Sequence, residues 1–199
     1  MGTRNLTCIK KNGEYTLAKY CQWDGYYEGQ GKTIVDFLRK KGNIEKLRER
    51  ADDLTFISED ELRRRWIEVG ANPDSDTVSF EVAGRFGEQW PELSRDTGGD
   101  ILQMIVESEG EFATKNDLEF AADSLFCEFA YCIDFDDNTF SWYKGFNHKP
   151  LEDGERFAFL NDKCPDYGDD DKYFPVREVG RVPLRACFLP TFQGDYDDE

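Results

Sequence analysis

The chain has 199 residues, of which 39% are hydrophobic and 15% aromatic, and its formal net charge is −17 at pH 7. These apolar and aromatic side chains are numerous enough to form a packed core, which argues against a disordered chain. No apolar run approaches the length of a transmembrane helix, and the chain does not begin with a basic and apolar signal segment. We therefore expect a water-soluble, cytoplasmic protein that does not bind membranes.

The charge is divided unevenly along the chain. Residues 1–70 contain 14 Lys/Arg and 12 Asp/Glu, a net charge of +2, whereas residues 71–199 contain 11 Lys/Arg and 30 Asp/Glu, a net charge of −19. The acidic part includes the triplet Asp169, Asp170 and Asp171. Such a region repels nucleic acid and attracts basic surfaces, including the basic groove of a nucleic-acid-binding protein. The alternative is that the charge serves solubility alone.

The six cysteines do not have the spacing of a metal site. No two of them form a C-x-x-C pair, and the sequence has a single histidine, His148, so the ligand spacing of a zinc site is missing. A cytoplasmic location also disfavours disulfides. We expect free thiols, most of them buried, and neither a metal nor another cofactor.

In chain order, the first predicted elements are two strands, Leu6 to Lys11 and Tyr15 to Trp23. They flank Asn12-Gly13, the strongest short signal for a β-hairpin, because both turn residues need positive φ. Period-two alternation puts four residues of the second strand on one face, namely Tyr15, Leu17, Cys21 and Trp23. Lys19 falls on the same face and interrupts its apolar character. The sequence therefore predicts an antiparallel hairpin at its start.

Helices are predicted next, each from a start or stop signal. The clearest signal is the capping box of Ser58 and Glu61, which opens a helix that ends at Gly70. An earlier basic helix begins at Asn43, which can cap it. Three other helices are predicted at 33–41, 100–106 and 114–124, the last two with Asp100 and Thr114 as caps.

Further strands are predicted from alternating apolar and polar residues at 77–83, 125–135, 139–144, 157–160 and 182–189. The turn 136–138 joins two of these strands in a second hairpin. Because hairpins dominate and helices lie between them, the sequence predicts an α+β fold with a mainly antiparallel sheet built from hairpins. We expect a single α+β domain over residues 1–193 and a disordered acidic tail over 194–199.

Gly31, Lys32 and Thr33 match the end of a nucleotide-binding phosphate loop. That loop needs another glycine with four residues between it and Gly31, and position 26 holds Tyr26. The spacing matters because the backbone N–H groups must curl around the phosphates. We therefore interpret these residues as the entry to a helix.

Two other motifs fit a catalytic or metal site poorly. Asp134, Asp136 and Asn138 match the start of a calcium loop, but Gly145 stands where the loop needs a bidentate glutamate. A catalytic triad would need His148 as its base, and the chain has no characteristic sequence around a nucleophile. We predict a hairpin turn at the first motif and name no catalytic residue.

The segment from Gln22 to Gly31 is rich in aromatics, carboxylates, amides and glycines. Such a loop can form a pocket where the backbone approaches a ligand closely. It can equally be a structural crossover in which the glycines permit tight turns and Trp23 and Tyr26 fill the core. Together with the acidic triplet, the candidate binding residues are Arg4, Gln22, Trp23, Asp24, Tyr26, Glu28, Gln30, Asp169, Asp170 and Asp171.

Several motifs resemble a widespread family of bacterial and phage proteins, with relatives in fungi, whose activity is unknown. They are Met-Gly-Thr-Arg at the start, Asn12-Gly13-Glu14-Tyr15, Gln22 to Tyr26 and Glu28 to Gly31, together with the later Ala130-Tyr131, Ile133-Asp134 and Trp142 to Asn147. The sequence departs from the family pattern at Tyr27, where the family has proline. The resemblance implies one fold over most of the chain, and its phage association implies an inhibitor of a host defence system.

Three hypotheses about function follow from these features. The leading one is a non-catalytic acidic protein, of phage or prophage origin, that binds a basic surface of a partner protein. The second is a small-molecule-binding protein or hydrolase that uses the loop from Trp23 to Gly31. The third is a nucleic-acid binder that uses the basic residues of 40–65, although the acidic part of the chain disfavours direct binding of nucleic acid.

Overall fold

A computed structural model describes residues 2–75, 77–168 and 172–188 of the chain. The fold is α+β, as predicted, with a five-stranded mixed sheet and a small two-stranded sheet. The strands are β1 Asn5–Lys11, β2 Glu14–Cys21, β3 Leu54–Phe56, β4 Phe112–Thr114, β5 Phe129–Asp134, β6 Thr139–Lys144 and β7 Arg177–Pro183. The α-helices are α1 Lys32–Arg39, α2 Asn43–Arg50, α3 Glu59–Glu68, α4 Phe80–Gln89 and α5 Ile101–Glu107.

The large sheet has the strand order β2-β1-β5-β6-β7 and is built from two hairpins. β1 and β2 are antiparallel around Asn12 and Gly13, whose φ angles are 57° and 81°, as the turn requires. β5 and β6 form the second hairpin, and β7 pairs antiparallel with β6. The hairpins meet where β1 runs parallel to β5, so the sheet is mixed although most of its pairs are antiparallel.

Each face of the large sheet covers a separate apolar cluster. On one face, α1, α2 and α5 pack against strand residues that include Ile9, Leu17, Tyr131 and Ile133. The other face is covered by short 3-10 helices and by Leu151, Phe157 and Val176, among others. Burial on both faces explains why β5 is almost continuously buried.

A β-bulge in β2 changes the predicted face of one residue. Ile9 pairs with Leu17, but Lys10 pairs with Tyr15, so Thr16 is an extra residue in β2. Leu17 therefore packs in the cluster under the helices, whereas Tyr15 stacks on Phe157 in the opposite cluster, with ring centroids 6.1 Å apart. The prediction that Tyr15 and Leu17 share a face was wrong.

The helices α3 and α4 form a third apolar cluster beside β2. Its centre is a stacked pair, Trp66 on Phe86, with centroids 3.7 Å apart. The predicted strand at 77–83 was wrong, because Ser79 caps α4 by accepting a hydrogen bond from the Val82 N–H. Val82 and Phe86 are four residues apart and lie on the buried side of the helix.

Other predicted elements were also wrong in type or length. Residues 112–114 form β4, and the following segment is a 3-10 helix, Leu118–Ala122, instead of a helix capped by Thr114. The segment 157–160, predicted as a strand, instead overlaps the 3-10 helix Ala158–Lys163. The last strand begins earlier than predicted, at Arg177, and Leu184–Phe188 is a 3-10 helix.

Two helix caps also differ from the prediction. Gly42, with φ 84°, occupies the N-cap of α2, and Asn43 instead donates from Nδ2 to the Phe37 carbonyl at 3.0 Å. Asp100 stands at the N-cap of α5 but makes no side-chain cap bond. The capping box at α3 has the predicted bond from the Glu61 N–H to Ser58 Oγ.

Cys164 is half-buried and the other five cysteines are buried, and all six are free thiols. Among the residues that the structure describes, no helix has the length and apolar composition needed to cross a bilayer. The predicted acidic tail at 194–199 lies outside the described residues.

Candidate functional site

The loop after β2 connects the sheet to α1 through close backbone packing. Asp24 has a φ of 54°, and Tyr27–Gly31 forms one turn of π-helix that continues into α1. The Tyr131 hydroxyl donates to the Gly25 carbonyl at 2.7 Å. A Cβ on Gly29 would lie 2.3 Å from the Asp24 carbonyl oxygen, so only glycine fits there. These contacts favour the structural interpretation of the loop.

Polar side chains of the loop bond to neighbouring protein groups. The Trp23 indole N–H donates to Asp96 Oδ1 at 2.6 Å, and Gln30 Oε1 accepts from the Gly99 N–H at 2.6 Å. Gln22 Oε1 accepts from the Tyr20 hydroxyl at 2.5 Å. The loop thus holds the segment 95–99 against the end of β2.

Other predicted binding residues lie at the surface of this region. Trp23 is 44% exposed and Tyr26 is 53% exposed, so neither ring is the core anchor that the structural interpretation assumed. Asp24 and Glu28 are also exposed. Arg4 lies just before β1, and its guanidinium stands 4.4 Å from the centre of the Phe126 ring. Asp169, Asp170 and Asp171 lie outside the described residues.

At the helix entry formed by Gly31, Lys32 and Thr33, both polar side chains bond to nearby groups of the same segment. α1 begins at Lys32, whose ammonium pairs with Asp36 one turn later. Thr33 Oγ1 donates to the Gly29 carbonyl at 3.1 Å. These bonds fit a helix start and leave the Lys32 ammonium directed along α1.

Lys32→Ala is expected to change the free energy of unfolding by no more than about 0.5 kcal/mol, since the side chain is exposed. The wild-type protein is expected to show no thermal shift with ATP, GTP or their magnesium complexes. Thermal unfolding of both proteins with each nucleotide checks this. A saturable shift with magnesium nucleotide that disappears in Lys32→Ala would show that the loop binds phosphate.

A second region, which we call the acidic groove, lies between β7 and the segment 151–157. It is a cavity of about 460 Å³ lined by the carboxylates of Glu152, Asp153, Glu155 and Glu178. Among the described residues, Glu152 and Asp153 form no ion pair, and both are exposed. The groove belongs to the part of the chain that carries the excess negative charge.

The floor of the acidic groove is a buried polar network around Arg156. Its Nη1 contacts Asp134 Oδ2 at 2.8 Å, and its Nε donates to the Tyr143 hydroxyl at 2.7 Å. The Tyr143 hydroxyl donates in turn to Glu178 Oε2 at 3.0 Å. Glu178 also accepts from both Arg181 Nε and Nη2, at 3.0 and 2.7 Å. The two arginine charges are therefore neutralised inside the network and leave the rim of the groove negative.

Asp134 is fully buried, and its charge is held by several donors. Burial by itself acts to raise the pKa of this carboxyl, but the Asp137 N–H, Arg156 and Lys10 outweigh it, so the pKa lies below its ordinary value. The carboxylate that opened the calcium-like motif is thus engaged by protein donors in the β5–β6 hairpin.

A third region, which we call the Lys19 cleft, lies between the edge strand β2 and the α3–α4 pair. It is a cavity of about 670 Å³ with mainly apolar walls, including Leu62, Trp66, Phe86 and Leu93. Lys19 lines it from β2 and is only 1% exposed. Asp96, which holds the Trp23 indole, also lines the cleft and connects it to the predicted loop.

Lys19 is a buried cation with an unusual environment. Within the described ranges of the chain, no hydrogen bond or ion pair joins its ammonium to another residue, and Nζ is not among the fully enclosed atoms without a partner, so it can be reached from the cleft. Burial lowers the pKa of Lys19 to about 8, and neighbouring Lys115 lowers it as well, against the opposing effect of Asp117. The Asp117 carboxylate itself accepts from the Tyr20 N–H at 3.1 Å and pairs with Lys115 at 3.3 Å.

The residues on which the catalytic-triad and nucleic-acid hypotheses depend contact other groups of the protein. His148 lies in an exposed loop with its ring centroid 4.6 Å from that of Tyr173. Arg48 donates to the Phe135 carbonyl, and Arg50 donates to the Ile105 carbonyl, so these two cations of the basic segment are directed inward.

Comparison with known proteins supplies no template for these sites, because no family model, curated protein or solved structure matches the chain. The sites are therefore assigned from their own geometry. Sequence reasoning did not find the acidic groove or the Lys19 cleft. A signal for the cleft was present, because Lys19 interrupts an otherwise apolar strand face.

Proposed function

We propose that the protein is a non-catalytic binding protein and that its acidic groove receives basic side chains from the surface of a partner protein. The observation that carries this proposal is the placement of Glu152 and Asp153 at the rim of a cavity, where neither carboxylate forms an ion pair with any residue that the structure describes. Carboxylates in such a position can accept paired N–H bonds from a guanidinium. The net charge of −19 over residues 71–199 would also attract a basic partner at long range.

A finer form of the proposal concerns the identity of the partner. A basic surface large enough to meet this acidic region is typical of a nucleic-acid-binding protein. The motif resemblance to bacterial and phage proteins, which no family model supports, suggests an inhibitor that occupies such a surface in a host defence protein. In that role the acidic groove would compete with the phosphates of the nucleic acid.

A hexa-arginine peptide provides a direct probe of the acidic groove. The double variant Glu152→Gln with Asp153→Asn is expected to weaken peptide binding about tenfold, because it removes the unpaired rim charges. The matched control is Glu59→Gln with Asp60→Asn, which removes two exposed charges from α3. Calorimetric titration of the three proteins, at low and high salt, measures both effects, and the affinity should fall with salt.

An equal loss of affinity in the groove variant and the α3 control would contradict the proposal. It would mean that the peptide responds only to net charge. Affinity for the wild-type protein that is independent of salt would also contradict it, since exposed charges are screened beyond about 8 Å at physiological ionic strength.

A second candidate function is the binding of a small molecule beside the Trp23–Gly31 loop. The observation that favours it is the position of the Lys19 cleft, whose wall includes Asp96, the hydrogen-bond partner of the Trp23 indole. In this form of the hypothesis the loop supports the cleft from outside, and the ligand contacts are made by β2, α3 and α4.

A further inference from the structure

We propose that the Lys19 cleft binds a small organic anion with an apolar body, and that the Lys19 ammonium pairs with the anionic group. The proposal rests on the second candidate function and does not depend on a basic partner protein, because this site is separate from the acidic groove. The two sites would take ligands of opposite charge.

The walls of the cleft fit the apolar body of such a ligand. Trp66 stacks on Phe86, and Leu62 and Leu93 add further apolar surface to the cleft. The volume of about 670 Å³ lies within the range of small-molecule sites in proteins, about 300–1,000 Å³. Gly84 of α4 also lines the cleft, and a Cβ built on it would meet no atom within 4 Å, so the cleft is open at this point.

The anionic group is inferred from the unsatisfied charge of Lys19. A buried ammonium without a partner is unfavourable unless an opposite charge or an acceptor approaches it. The titratable groups with the largest influence on it are Asp117 and Lys115 beside β2, Cys21 on β2, and Glu92 in the 3-10 helix after α4. Glu88 of α4 and the ion pair of Arg95 with Asp96 also line the cleft. Of these, the Asp117 carboxylate is already bonded to Tyr20 and Lys115. A carboxylate or sulfonate that enters the cleft would supply the missing partner.

The proposal implies a defined pH dependence of binding. An anion that pairs with Lys19 favours its protonated form, so the pKa of Lys19 is higher in the complex than in the free protein. Below the pKa of the free protein, about 8, Lys19 is protonated and affinity is constant. As the pH rises above that value, binding requires proton uptake, and the affinity for an anion falls until the pKa of the complex is reached.

Two fluorescent probes test the site as a matched pair. 8-Anilinonaphthalene-1-sulfonate is an aromatic anion, and N-phenyl-1-naphthylamine has the same rings without the sulfonate. Lys19→Met is expected to weaken the anionic probe at least about tenfold and to leave the neutral probe within about twofold. Lys46→Met, which removes one charge from α2, is expected to change neither. Gly84→Leu, which fills the cleft, should weaken both probes.

Fluorescence titrations of the wild type and the three variants, after thermal melts confirm that each is folded, decide the matter. Unchanged affinity of the anionic probe in Lys19→Met would overturn the pairing with Lys19, as would an equal loss for both probes. Failure of both probes to bind, or an unchanged affinity in Gly84→Leu, would overturn the assignment of the cleft as the site. The proposal is supported only if Lys19→Met weakens the anionic probe selectively and Gly84→Leu weakens both probes.

Discussion

Asp134→Ala is expected to lower the free energy of unfolding by about 3–5 kcal/mol at neutral pH, because removal of one member of a buried ion pair leaves the other charge uncompensated. The Arg156 side chain is 5% exposed and the Asp134 side chain is 0% exposed, so the arginine charge is poorly solvated once the carboxylate is removed. The variant also removes the acceptor for the Asp136 and Asp137 N–H groups in the turn between β5 and β6. Urea unfolding of the two proteins measures the difference.

The matched control is Asp137→Ala in the same turn, at an exposed side chain, with an expected change within about 0.5 kcal/mol. The double variant with Arg156→Met should be less destabilised than Asp134→Ala alone, since no unpaired charge remains. The pKa of Asp134 is lower in the folded state, so its contribution is present above the ordinary aspartate range and is lost as the pH falls through the folded value. Equal effects of the Asp134 and Asp137 variants would contradict this account of the network.

Lys19→Met is expected to stabilise the protein at neutral pH, in contrast to most substitutions of buried residues. The folded-state pKa of about 8 is below the ordinary value of 10.5, so burial of the charge opposes folding by roughly 3 kcal/mol. Methionine has a similar length and no charge, and it suits an apolar wall. Urea unfolding of both proteins at neutral pH should therefore show a gain for the variant of up to about 3 kcal/mol.

The difference in stability between the wild type and Lys19→Met is expected to depend on pH. Below about pH 8, Lys19 is protonated in both states, and the full unfavourable effect of its burial is present. Between the folded and unfolded pKa values the unfolded chain binds more protons, so the stability of the wild type rises with pH relative to Lys19→Met. The advantage of the variant should thus shrink towards pH 10.5. A variant that is less stable than the wild type at neutral pH, or an advantage independent of pH, would contradict an unpaired, desolvated Lys19.

The hairpins were predictable because their signals are local. Asn12 and Gly13 can both adopt positive φ. In the second hairpin Asn138 also has a positive φ, of 55°, and the Asp134 side chain accepts from the Asp136 and Asp137 N–H groups of the turn. The helix α4 was mistaken for a strand because Val78, Phe80 and Val82 alternate, while the buried side of α4 rests on Val82 and Phe86. Phe80, which takes part in this alternation, is 91% exposed. Packing of Phe86 against Trp66 favours the helical period of 3.6 residues over the strand period of two in this segment.

The sites were less predictable than the fold because each one joins distant parts of the chain. The Lys19 cleft combines β2 with α3 and α4, and the acidic groove combines the segment 151–157 with β7. The interruption of an apolar strand face by Lys19 was a local signal, but no local pattern shows which distant segments meet at a site. The loop from Trp23 to Gly31, by contrast, had a dense local pattern, and its glycines are required by close contacts such as that of Gly29 with the Asp24 carbonyl.

The protein is proposed to carry two separate binding sites, the acidic groove and the Lys19 cleft, for ligands of opposite charge. Amide chemical-shift mapping of the isotope-labelled protein tests it most directly, with hexa-arginine and 8-anilinonaphthalene-1-sulfonate titrated in separate samples. Hexa-arginine is expected to shift amides of residues 151–157 and of β7, and the anionic probe those of β2, α3 and α4 around Lys19. Shifts from both ligands at the same residues, or shifts spread evenly over the exposed charged side chains, would contradict the claim.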